Sequence, residues 1–210
     1  MIGVAAFAYG ALHLTLFAAD KLFDLDVVVS EILLRRNLVI GAWALLLLMM
    51  LAATSTDGMM RRLGGKNWRN LHRFAYAAAV LASTHFFMQS KLNASEPTVV
   101  AGLLAWLLAW RVARPTGAAG LALLAVAVGL GTALAEAAYY GLFTGVDPWR
   151  VLEANVALFG RRPAGVVLLA GFAVVLAAGI ASVWRALSAR PILSRRKRRA
   201  KVRGPVPEVP

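Results

Sequence analysis

The sequence predicts an all-α, polytopic transmembrane helix bundle, and three observations carry that expectation. Sixty per cent of the 210 residues are hydrophobic. Apolar runs of membrane length recur along the chain, and about 20 helical residues suffice to cross a hydrocarbon core roughly 30 Å thick. No stretch alternates as a half-buried strand would, and lipid tolerates no open sheet edge.

Six segments are long enough to span, at roughly residues 1–20, 37–54, 70–90, 97–113, 118–140 and 163–187. The first begins MIGVAAFAYGALHLTLFAAD, apolar from its start and without a basic leader, and so reads as a spanning helix rather than a cleaved signal peptide. An even number of spans puts both termini on one side. That side then holds 16 of the 23 Lys and Arg residues, including Arg61, Arg62, Lys66, Arg69, Arg73, Arg111, Arg114 and the tail, while eight of the ten acids fall on the other. With short loops, this imbalance predicts cytoplasmic N- and C-termini.

The loops carry their own signals. Residues 21–36 mix acids with Val27–Val29, Ile32, Leu33 and Leu34, which suits a segment lying on the membrane surface. In 141–162, Asp147 followed by Pro148 predicts a capped interfacial helix anchored by Trp149. The tail from Ser194, SRRKRRAKVRGPVPEVP, is basic and then Pro-rich, and is expected to lack regular structure and to meet anionic membrane lipids. The net charge of +13 is thus a matter of topology; no nucleic-acid role is expected. Cysteine is absent, which excludes disulfides, thiolate metal sites, iron–sulfur clusters and cysteine nucleophiles.

All three histidines, His13, His72 and His85, sit in membrane-length segments. In the predicted orientation His13 lies seven residues before Asp20, and His85 six before Lys91. At 1.5 Å per residue both are about 10 Å below the outer boundary. Two imidazoles at matching depth on neighbouring helices suit the two axial positions of a haem iron. Small residues at Ala6, Gly10, Ala77–Ala79 and Ala82 leave room for a flat macrocycle, although they equally suit helix packing. His72 lies near the cytoplasmic boundary, where Arg69 and Arg73 are at the right depth for haem propionates. Thirteen residues of α-helix would set His72 and His85 about 140° apart around one axis. Either the helix is distorted between them, or two haems would meet different flanks. His72 has no histidine partner in this chain; Met59 and Met60 are the nearest substitutes. A lone membrane histidine also serves as an interhelical hydrogen-bond partner. The competing class is therefore a haem-free transporter or assembly factor, for which Glu136 is the one intramembrane acid.

The run Thr54-Ser55, Met59, Arg61, Leu63-Gly64, Trp68, Leu71-His72, Tyr76, His85 and Lys91, with Leu12-His13 and Glu31, Arg35 and Gly41 upstream, resembles the MsrQ (YedZ) family over roughly residues 1–114. The resemblance implies a ferric-reductase-like transmembrane domain holding one or two b-type haems, with His13, His72 and His85 at the ligand positions. It implies a flavin mononucleotide as a further cofactor, electrons from the membrane quinone pool, and a periplasmic molybdopterin enzyme that reduces methionine sulfoxide in oxidised proteins. It also implies membrane segments ahead of the point where this chain begins, from which a ligand opposite His72 would come. The expected organisation is a haem-binding core over 1–114, two additional helices with a periplasmic loop over 115–190, and a basic, Pro-rich cytoplasmic tail over 191–210. No residue is expected to be catalytic in itself. A haem-containing ferric or quinone reductase with another acceptor remains the alternative.

Overall fold

The computed structural model of the chain describes residues 2–90 and 93–202. Among these there are nine helices and no strand: α1 Ile2–Asp20, α2 Leu25–Leu34, α3 Arg36–Ala53, α4 Asp57–His72, α5 Phe74–Gln89, α6 Ser95–Ala113, α7 Gly117–Thr144, α8 Pro148–Ala157 and α9 Pro163–Val202. Five of them, over Gly3–Asp20, Arg36–Ala53, Ser95–Ala113, Gly117–Thr144 and Pro163–Ser188, are long and apolar enough to cross a membrane. The protein is an all-α, multi-pass membrane protein.

The chain forms two compact units, Met1–Leu104 and Ala105–Pro210. In the first, α3 packs against α1, α2 and α5, and α4 leans on α5. Close approach of α1 and α3 depends on Gly10, where a Cβ would come within 2.9 Å of Leu45. That small residue therefore serves helix packing, one of the two uses its position allowed. In the second unit α7 runs along α9, and α8 touches both. Gly129 lies against Leu168, and Gly171 against Ala125 and the Trp106 indole, so small residues again set the helix spacing.

The cap expected at Asp147 forms, and a second forms at Asp24. Asp147 accepts from the Trp149 N–H with Pro148 in the first turn of α8, and Asp24 accepts from the Asp26 and Val27 N–H groups to start α2. Both use a short carboxylate to satisfy amide donors that the first turn leaves unpaired.

Three expectations change. The segment expected to run unbroken over 70–90 is interrupted at Arg73, whose N–H bonds to the Asn70 carbonyl three residues back, and α5 begins only at Phe74. Its 16 residues rise about 24 Å, short of a full hydrocarbon core. The angular conflict between His72 and His85 is thereby resolved, because they stand on different helices. Residues 57–69, read as loop, form most of α4. Thr56 caps it through the Met59 N–H, and the helix breaks at Gly64, whose φ of +74° belongs to the left-handed region that glycine adopts without a Cβ penalty. The tail expected to lack regular structure continues α9 to Val202, in keeping with the helix propensity of its Arg, Lys and Ala residues. Its final residues, 203–210, lie outside the described residues.

Candidate haem-ligand site in the first unit

His13 and His85 come together. Their ring centres lie 6.5 Å apart with the planes 76° from parallel. His13 projects from α1 and is exposed, and His85 projects from α5 and is half-buried. Metal bonds of about 2.0–2.1 Å to imidazole nitrogen, with roughly 1.1 Å more from nitrogen to ring centre, set two imidazoles across one metal about 6.3 Å apart. The observed separation of 6.5 Å is compatible with one metal held between the two rings. No group of three or more His, Asp or Glu side chains able to hold a bare metal ion occurs among the described residues. Two imidazoles leave a metal's other positions open, and a porphyrin would supply donors for them.

The protonation pattern of His85 follows from its neighbour. Its Nδ1 lies 2.7 Å from the Asn37 carbonyl oxygen. A carbonyl can only accept, so Nδ1 carries the proton and donates, leaving the Nε2 lone pair available. Imidazoles that bind metals ordinarily have their other nitrogen held this way. The ring reaches this carbonyl because Gly41 lacks a side chain: a Cβ there would sit 2.8 Å from Nδ1 and Cε1 of His85. The residues around His13 and His85 thus fit a haem.

His72 is held differently. Its Nε2 lies 3.2 Å from Thr54 Oγ1, and its ring stacks on Trp68 at 3.9 Å between centres and 24° between planes. The Thr54 hydroxyl donates to the Met50 carbonyl at 2.9 Å, so its oxygen accepts from His72 Nε2–H, and Nδ1 is the nitrogen with a lone pair. The Trp68 indole donates to the Thr54 carbonyl at 2.8 Å, one of the acceptors left over at the end of α3. Thr54, Trp68 and His72 therefore lock the last turn of α3 to the last turn of α4. Replacing Thr54 with valine keeps the shape and removes the acceptor. It is expected to cost about 1 kcal/mol of stability in thermal unfolding of the purified protein.

Arg69 and Arg73 are exposed beside His72 in the chain. Met59 and Met60 lie in the first turn of α4. Two residues that sequence reading passed over matter here. The Asn37 side-chain amide donates to Gln89 Oε1 at 2.7 Å, joining the start of α3 to the end of α5. The available signal was an amide side chain at one end of each of two apolar segments.

The chain is similar to known proteins over its N-terminal half. Residues 1–83 match the family model described as ferric reductase like transmembrane component. Three relatives named protein-methionine-sulfoxide reductase heme-binding subunit MsrQ align over comparable stretches. That of Rhodospirillum rubrum is 47% identical over 113 residues, covering 53% of this chain and 54% of its own. That of Azospira oryzae is 42% identical over 114 residues, covering 53% and 49%. That of Xanthomonas euvesicatoria is 43% identical over 113 residues, covering 53% and 51%. The chain thus spans about half the length of the curated relatives it matches, and no solved structure matches it. With a ferric-reductase-like component over residues 1–83 and three such relatives above 40% identity, the N-terminal half of the chain is similar to the MsrQ heme-binding subunits.

Proposed function

We propose that the protein is a b-type cytochrome subunit of the bacterial inner membrane that passes electrons from the quinone pool to a periplasmic molybdopterin methionine sulfoxide reductase. The observation that carries this reading is the 6.5 Å His13–His85 pair, with His85 Nδ1 committed to the Asn37 carbonyl. A haem held there would supply a one-electron iron couple inside the low-dielectric core. The relatives are named as heme-binding subunits of a methionine sulfoxide reductase, which points to the same partner chemistry.

The chain's own residues would do three things. His13 and His85 would provide the axial nitrogens of the outer site. His72 would mark the inner position, binding through Nδ1 or giving up its Thr54 contact, with Arg69 and Arg73 available to propionates. The excess of Arg and Lys around α4 and towards the end of α9 would hold both termini on the cytoplasmic side and against anionic lipid. Sulfoxide reduction consumes two electrons and two protons and releases water, and none of these bonds would be broken on this chain. No residue is assigned to a flavin.

An optical spectrum of the purified chain, produced with ample haem supply, tests the reading together with haem quantification. The expected result is a six-coordinate b-type spectrum that becomes reduced on adding a quinol. A colourless preparation would sink the haem assignment. A coloured one that quinol leaves oxidised would remove the quinone pool as donor.

A further inference from the structure

We propose that Asn37 and Gln89 are positioning residues that tune the haem affinity and reduction potential of the outer site through His85, a role that rests on the haem reading above. Three constraints meet on one imidazole. Asn37 is the second residue of α3, and its carbonyl accepts from His85 Nδ1 at 2.7 Å. In a regular helix that same carbonyl also accepts from the N–H four residues on, which is Gly41. To share a carbonyl already used in a helix, the ring must lie over residue 41, and only glycine leaves that space, since a Cβ would sit 2.8 Å from it. The third constraint is the bridge from Asn37 Nδ2 to Gln89 Oε1 at 2.7 Å. Gln89 follows His85 by four residues, so both project from one face of α5.

One residue of α3 thus grips α5 twice, by its backbone at His85 and by its side chain one turn beyond. The side-chain bridge fixes the sliding distance between α3 and α5, and this distance sets the length of the His85–carbonyl bond. A proton held firmly between Nδ1 and a carbonyl increases electron donation from Nε2 to a metal, which favours the oxidised over the reduced iron. Loosening the bridge should therefore weaken binding of the oxidised form more than the reduced form and raise the potential.

The test is a redox titration of the purified full-length protein, together with the rate of haem loss to an excess of a haem-scavenging apoprotein. Gln89→Ala and Gln89→Leu remove the bridge at an exposed position, and Gly41→Ala pushes on the ring directly. The double variant Asn37→Gln/Gln89→Asn rebuilds the bridge with the chain lengths exchanged. The expected result is roughly tenfold faster haem loss in the Gln89 and Gly41 variants, within the range for removing a metal ligand's hydrogen-bond partner. If that loss falls on the oxidised form, the potential rises by about 59 mV for a one-electron couple. The exchange variant should return close to the parent in both measurements, and circular dichroism should be unchanged throughout. Parent-like haem loss and potential in Gln89→Ala and Gln89→Leu, in a protein from which His85→Ala still strips the haem, would show the bridge to be helix packing alone. A parent protein without haem would overturn this proposal and the haem reading together.

Discussion

His13→Ala and His85→Ala are each expected to strip the same haem from the purified protein, whereas His72→Ala leaves that haem in place. The two ring centres lie 6.5 Å apart with the planes 76° from parallel, so a haem held between them would lose one of its two protein nitrogens in either truncation. The six-coordinate signature of the outer site should be lost in both, because a single imidazole leaves the iron without its second protein nitrogen. The two variants should give superimposable difference spectra, and the double variant should add nothing further, as expected when two groups act as one unit. His72 tests a separate question. Its Nε2 is engaged by Thr54 and its face by Trp68, so His72→Ala removes a packed ring from the α3–α4 junction. If haem content falls from two per chain to one, His72 holds the second. If content is unchanged and only thermal stability falls, His72 is a structural lock. If His13→Ala and His85→Ala lose different haems, the proposed pairing is wrong even though the protein remains a cytochrome.

How far this site could be read in advance depends on which physics acts locally. The depth match of His13 and His85 followed from the helical rise alone, since both are counted from the end of an apolar run. Likewise the Asp147–Pro148 start of α8 was legible, because a cap and its proline are neighbours in sequence. The Asn37–Gln89 bridge joins residues 52 apart, and nothing in either neighbourhood specifies the other. The break at Arg73 was hidden because an apolar run continues across it; only the folded chain shows that α4 ends there and docks through Trp68 and Thr54. Residues 57–69 looked like loop because Gly64-Gly65 and five basic or amide side chains dilute the apolar signal. Yet Met59, Leu63, Trp68, Leu71 and His72 are, with Gly58, its partly sheltered residues, and their spacing was visible. Segregated faces at helical period can outweigh mean polarity.

Glu136→Ala is expected to destabilise the second unit by roughly 3–5 kcal/mol, the usual cost of removing one partner from a buried ion pair. Glu136 is fully buried, eight residues before the end of α7, and its carboxylate lies 3.6 Å from the Arg162 guanidinium, which is itself 23% exposed. Its other oxygen accepts from Asn155 Nδ2 at 2.8 Å. Asn155 in turn bonds the Val151 carbonyl and receives the Ala164 N–H in the first turn of α9. One carboxylate therefore ties α7, α8 and the start of α9 into a single network, whose remaining members lose their compensation when it goes. Glu136→Gln keeps an acceptor for Asn155 and loses only the charge, so its cost should be intermediate. The double variant Glu136→Leu/Arg162→Leu should recover much of the loss, because paired apolar residues avoid the desolvation that an unmatched charge suffers. Thermal unfolding in detergent and the rate of proteolysis in 145–162 measure both effects. The same variants separate this clamp from a transport function, the one role that an intramembrane acid would otherwise suggest. A transporting carboxylate predicts that Glu136→Gln abolishes proton or cation uptake into proteoliposomes while the fold keeps its stability. A clamp predicts the reverse, with stability falling in step with the lost contacts and the haem spectrum of the first unit unchanged.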